Sequence, residues 1–257
     1  MQVRDQFRDS AHFSAAEARM IRGMATSRKM EAAGRVPAER VEVLAAKRVQ
    51  YQIDLLRVRH AGGASFEELA PEARWILDQC GGRSLFLGHA LWLSCFALLL
   101  GVSDREELHP LFWDYQKGIS TGQRDSIFDW VLGHDARLSP PQDYWDFEHE
   151  RPRSGWRVIE AAEAGEAAEE ALRQLVVHDW MKEALDDSQL DRTKDTYMGF
   201  FCMEGAVIAT RLGIDDALVR GHSEWPQDLV DAARSGVVFP ETSDRDYEEP
   251  MFGSAGA

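Results

Sequence analysis

The sequence predicts an all-α protein, built either as two packed helical domains or as one elongated helical bundle, with a disordered acidic tail at its C-terminus. Three observations predict it. Hydroxyl-x-x-Glu capping patterns recur along the chain, apolar residues return close to every 3.6 positions, and strand-like alternation is missing. At 257 residues the chain is also long enough to bury a core without disulfide or metal staples.

Taken in order, Ser14-Ala-Ala-Glu17, Ser65-Phe-Glu-Glu68 and Ser103-Asp-Arg-Glu106 each set a hydroxyl three residues before a glutamate. That spacing satisfies orphan amides at a helix start, so a helix is expected to begin at each. Pro37 suits a first helical turn, and Val41, Leu44, Tyr51, Leu55 and Val58 follow at near-helical spacing. Gly62-Gly63 and Gly81-Gly82 are expected helix stops, because glycine takes the left-handed cap without a Cβ clash. Neither pair leads into the Gly-Lys-Ser/Thr of a phosphate loop.

The most apolar run, Ser84 to Leu100, contains His89 and falls short of the roughly 20 residues a bilayer requires, so it reads as a buried core helix. The polar, glycine-containing stretch 118–123 predicts a junction between an N-terminal domain, 1–121, and a C-terminal domain, 122–240. Pro140-Pro141 predicts an extended break. Beyond it, Glu166 to Leu185 and Tyr197 to Leu212 each read as one helix. After Pro240 the chain turns acidic and then small, with too little apolar surface to offset ordering entropy, which predicts a disordered tail over 241–257.

Charge narrows the function classes. The net charge is −15, yet residues 1–60 carry 12 Lys or Arg against 7 Asp or Glu. The remaining 197 residues carry 17 basic against 37 acidic side chains. Such a surface repels nucleic-acid phosphate and attracts a basic partner. The N-terminus lacks the apolar segment of a signal peptide, and Cys80, Cys95 and Cys202 are odd in number, far apart and set among apolar neighbours. A cytoplasmic protein with buried thiols is expected.

No assembled catalytic site emerges. The eight histidines form no His-Glu-x-x-His or other short ligand pair, so neither a metal nor a cofactor is expected. His178 falls near two carboxylates on an expected helix surface, and Asp215-Asp216 reads as an N-cap followed by a first-turn carboxylate. Glu204 interrupts an apolar stretch, and a buried carboxylate must be paired or protonated, so an arginine partner from another helix is expected. Were the chain a helical hydrolase, Glu204, Asp215, Asp216 and His178 would be its acids. A helical regulatory or scaffold protein is the other alternative.

One pattern is more specific. Trp180, then Tyr197-Met-Gly199-Phe200-Phe201-Cys-Met-Glu204-Gly-Ala-Val, Ile214-Asp215-Asp216 and Trp225-Pro226-Gln-Asp228-Leu229 resemble the C-terminal signature of the PoNi-type immunity proteins. Those carry Tyr-x-Gly-Tyr-Trp, a Glu-Ala-Ala-Ala-like run, Ile-Asp-Asp and Tyr-Pro-x-Asp-Leu; here Phe200-Phe201 replaces Tyr-Trp and Trp225 replaces Tyr. Arg4-Asp5-Gln6-Phe7, Arg59-His60-Ala61-Gly62-Gly63 and the run Leu91 to Gly101 are similar to the companion N-terminal domain. The resemblance implies an all-α, non-catalytic cytoplasmic protein that neutralises a PoNe-type DNase toxin of type VI or other interbacterial secretion systems. An acidic chain suits the basic face of a nuclease.

Most signature positions are glycine, aromatic or capping types and are assigned to structure. The expected toxin contact lies elsewhere. Between Asp143 and Asp195 there are 15 acidic against 7 basic residues, and Asp186, Asp187, Asp191 and Asp195 fall on the connection between two expected helices.

Overall fold

A computed structural model describes residues 3–81, 83, 85–118, 125–134, 154–183 and 192–239, the side chains of 113–118 and 183 excepted. Among these residues every regular element is helical, as the capping and periodicity patterns require. The expected break at Pro140-Pro141 and the tail 241–257 lie outside the described residues. The chain gathers into two compact units, one from Met1–His89, Asp187–Phe200 and Phe239–Ala257, the other from Ala90–Asp186 and Phe201–Val238.

The first unit is built on α1 (Ser10–Ala32), α2 (Val41–Ala61) and α3 (Phe66–Cys80), with α1 packed on α2 and α2 on α3. Asp9 starts α1 by accepting the His12 amide at 2.9 Å, so Ser14 and Glu17 lie inside the helix and not at its cap. The local pattern lost to an earlier and better-placed carboxylate. Ser65 and Glu68 do form the expected reciprocal box at the head of α3. Pro37 precedes a 3₁₀ turn, Ala38–Arg40, that leads into α2.

Both glycine pairs end helices, though not with both glycines left-handed: Gly62 and Gly81 keep negative φ, and Gly63 turns the chain at φ 92°. Phe13, Met24, Ile53, Leu56, Leu69 and Ile76 form the core between the three helices. Through it run ionised side chains. Arg59 of α2 donates to Glu17 of α1 at 3.1 Å and to Glu72 of α3 at 2.5 Å, tying the three helices at one point.

The second unit takes α4 (Leu87–Leu100) from Ala90 onward, then α5 (Arg105–Gly118), α6 (Ser126–Val131), α7 (Ser154–Ala164) and α8 (Ala168–Gln174). Almost the whole of Ala90 to Leu100 is buried, as expected of a core helix. Asp104, not Ser103, caps α5 by accepting the Glu107 amide at 2.9 Å, and Ser103 instead donates to the Glu107 carboxylate. Gly155 of α7 lets the side chains of Ile127 on α6 and Ile208 on α10 (Met203–Leu212) approach its backbone closely.

Two sequence expectations are corrected here. The stretch from Glu166 begins its helix only at Ala168 and opens into a π turn, Leu175–Asp179, before α9 (Trp180–Glu183). The stretch Tyr197 to Leu212 is helical only from Met203; residues 197–202 are not helical, because Gly199 turns at φ 80°. The last helix, α11 (Gln227–Ser235), packs on α10.

Candidate partner-binding site

In the first unit the segment 192–200 forms a strap whose two halves are held in different ways. Its second half is locked by side chains. Tyr197 is buried and its hydroxyl donates to Asp5 Oδ2 at 2.6 Å, while Asp5 Oδ1 accepts the amides of Phe7 and Arg8. Burial, followed by the hydrogen bond to Asp5 and the Asp5 charge, pushes the Tyr197 phenol well above its usual range. At Gly199 any Cβ would overlap the Ala61 methyl, and the positive φ disfavours other residues as well. Phe200 lies under the Arg57 guanidinium, 5.6 Å from its ring centroid.

The first half of the strap is held through its main chain. Arg8 Nε donates to the Arg192 carbonyl at 2.7 Å, His12 Nε2 to the Tyr197 carbonyl at 2.8 Å, and Arg19 to the Asp195 carbonyl. A longer contact, 3.5 Å, joins Arg8 to the Lys194 carbonyl. Thr193, Lys194, Asp195 and Thr196 are exposed. The Arg-Asp-Gln-Phe opening marked this arm in the sequence, but nothing local tells that Asp5, Arg8, His12 and Arg19 reach a segment some 180 residues away.

In the second unit the acidic pair separates into two roles. Asp215 is exposed and accepts the Ala217 amide at 3.0 Å, capping a turn and not the expected helix. Asp216 is buried and accepts from the Trp225 indole at 3.0 Å and from Arg234 of α11 at 2.5 Å, with Arg220 at 3.9 Å. Burial alone would push this carboxyl up; the Arg234 and Trp225 hydrogen bonds and the charges of Arg234 and Arg220 outweigh it and leave it below the usual range. The Ile-Asp-Asp and Trp-Pro-x-Asp-Leu motifs are therefore one clasp closing on α11, whose head is Pro226 with Asp228 in the first turn. Arg234 is the member that sequence spacing missed.

Glu204 occupies the first turn of α10 and is buried, where the helix dipole favours a carboxylate. Beside it, Gly205 is close to Leu175 and to Trp225. Trp180 and Phe201 are buried, while His178 sits exposed on the π turn. The signature is thus divided: Tyr197, Gly199 and Phe200 belong to the first unit, and Phe201, Glu204, Asp215, Asp216, Trp225, Pro226 and Asp228 to the second. Of the expected toxin contacts, Asp186, Asp187 and Asp191 lie outside the described residues, and Asp195 is exposed on the strap.

Among the described residues no group of His, Cys, Asp and Glu is placed to hold a metal ion, and no helix is long and apolar enough to cross a membrane. Among the described residues the molecule is all-helical, with buried ionic clasps and a strap whose first half is exposed and anchored through its backbone. Residues 136–229 match the family model described as PoNe immunity proteins (PoNi), C-terminal. The crystal structure of protein PA2201 from Pseudomonas aeruginosa is similar in fold, with a TM-score of 0.53 and 16% identity over 91% of each chain. No curated protein matches the sequence.

Proposed function

We propose that this chain binds and neutralises a cognate PoNe-type DNase toxin of an interbacterial antagonism system such as type VI secretion. It acts in the cytoplasm of the producing cell, without catalysis or a cofactor of its own. The match of residues 136–229 to the PoNi C-terminal family carries the reading. Charge supports it: beyond residue 60 the chain carries 37 acidic against 17 basic side chains. A nuclease must present a basic face to phosphate, and an acidic partner is steered to that face. We assign the toxin-binding function to residues 122–240, with 1–121 as the companion domain and Asp186, Asp187, Asp191 and Asp195 as contacts.

The test is a DNA-cleavage assay with a purified PoNe-type nuclease domain encoded beside this chain. Stoichiometric addition of the chain should abolish cleavage, and inhibition should weaken as salt rises. Cleavage at an unchanged rate with the chain in excess refutes the reading.

A further inference from the structure

We infer that residues 193–196 form the surface that discriminates one toxin from another, and that Arg8, His12 and Arg19 are positioning residues that present it; this rests on the functional reading above. A hydrogen bond to a main-chain carbonyl is indifferent to the side chain at that position. Arg8, His12 and Arg19 take the carbonyls of Arg192, Asp195 and Tyr197, so the backbone of the turn is fixed whatever side chains it bears. His12 and Arg19, seven residues apart, fall on one face of α1, and Arg8 lies just before its Asp9 cap; all three reach the strap.

The contrast with the adjoining residues is sharp. Tyr197 is buried and tied to Asp5, and Gly199 has no room for a Cβ. Neither can change without disturbing the first unit. Thr193, Lys194, Asp195 and Thr196 are exposed, where substitutions usually shift stability little. A pre-anchored backbone bearing exposed side chains loses little conformational freedom on binding.

The chemistry of the turn also defines what it recognises. Two hydroxyls, one ammonium and one carboxylate carry no net charge and no large apolar group. That set fits neither a bilayer nor a phosphate backbone. It fits a polar protein surface, read by hydrogen bonds and by charges of either sign. The acidic remainder of the chain attracts any basic nuclease, which sets class and encounter rate but does not separate one nuclease from the next. Separation requires local matches and mismatches, such as a like charge set opposite Lys194 or Asp195.

The experiment pairs the full chain with the same PoNe-type nuclease domain. Lys194→Glu/Asp195→Lys should weaken the complex about tenfold or more with an unchanged melting temperature. Arg8→Gln/Arg19→Gln, which leaves 193–196 intact, should also weaken it. In the free double variant amide exchange should quicken across 193–197 but not in α2, a local change that general destabilisation would not produce. As a check independent of any substitution, the amides of 193–197 in the unmodified protein should gain protection in the complex. Wild-type affinity in the charge-swapped protein, or no gain of protection at 193–197, overturns the inference. An unmodified chain that forms no complex overturns the functional reading itself, and the inference with it.

Discussion

The ionic node at Arg59 allows a quantitative test of what holds the first unit together. Its guanidinium reaches Glu72, whose side chain is only 3% exposed, and Glu17, which is 35% exposed. Burial acts to lower the Arg59 pKa, and the two carboxylates more than offset it, so the group is held more firmly charged than a free arginine. Arg59→Met keeps most of the apolar stem but takes the Arg59 charge away from the buried Glu72 carboxylate. Removing one partner of a buried pair costs about 3–5 kcal/mol. For a protein of this size each kcal/mol moves the unfolding midpoint by about 2–4 °C, so the loss should be about 6–20 °C. Circular dichroism during heating reads the midpoint, and hydrogen exchange of α2 amides localises the effect. Replacing both partners, in Arg59→Met/Glu72→Leu, removes the buried carboxylate as well and should restore most of the loss. A single variant within about 3 °C of wild type, or a double variant no more stable than the single, would refute the reasoning.

Three further outcomes are expected. Gly199→Ala should destabilise by more than about 1 kcal/mol, because the new methyl meets Ala61 and the residue sits at φ 80°; urea titration measures it. His60 is fully buried, and burial, then the Arg4 charge, holds its pKa well below 6.5. The unfolded chain then takes up the proton first as pH falls, so stability should drop below about pH 6.5, and His60→Phe should show a shallower drop in urea midpoint between pH 7 and 5. Asp216→Asn should cost stability at neutral pH by weakening the Arg234 and Trp225 contacts. Because the Asp216 pKa is depressed, that difference is present above the ordinary carboxylate range and should shrink as pH falls through it, as melting temperatures at pH 7 and 3.5 will show.

What could be read in the sequence was the set of features decided within a few residues. The Ser65–Glu68 box, the stops at Gly63 and Gly81 and the buried run from Ala90 to Leu100 depend on local spacing and local apolarity, and the structure has them. Ser14–Glu17 failed because Asp9 offered a cap one turn earlier. The helix expected over 166–185 opens into a π turn at Leu175–Asp179, and the one expected over 197–212 failed because tertiary contacts overrode propensity: the Asp5 and Ala61 contacts of the strap involve partners far along the chain. The signature residues could be recognised as a group. Their division into an Asp216 clasp and a Tyr197 lock could not, since Arg234 and Asp5 lie 18 and 192 residues from the side chains they meet.

The division of the signature between the two units bears on how the protein can be cut. A fragment covering residues 136–229, the extent of the family match, would contain Tyr197 without Asp5, Gly199 without Ala61, and the carbonyls of the strap without Arg8, His12 and Arg19. It would also lose Arg234 and with it the closure of the clasp on Asp216. The N-terminal segment thus supplies the Asp5, Arg8, His12 and Arg19 side chains that hold the strap. Supplied as a separate polypeptide, Met1–His89 should bind residues 90–257 and restore an ordered strap in trans, the behaviour of a split protein whose seam runs through its own signature.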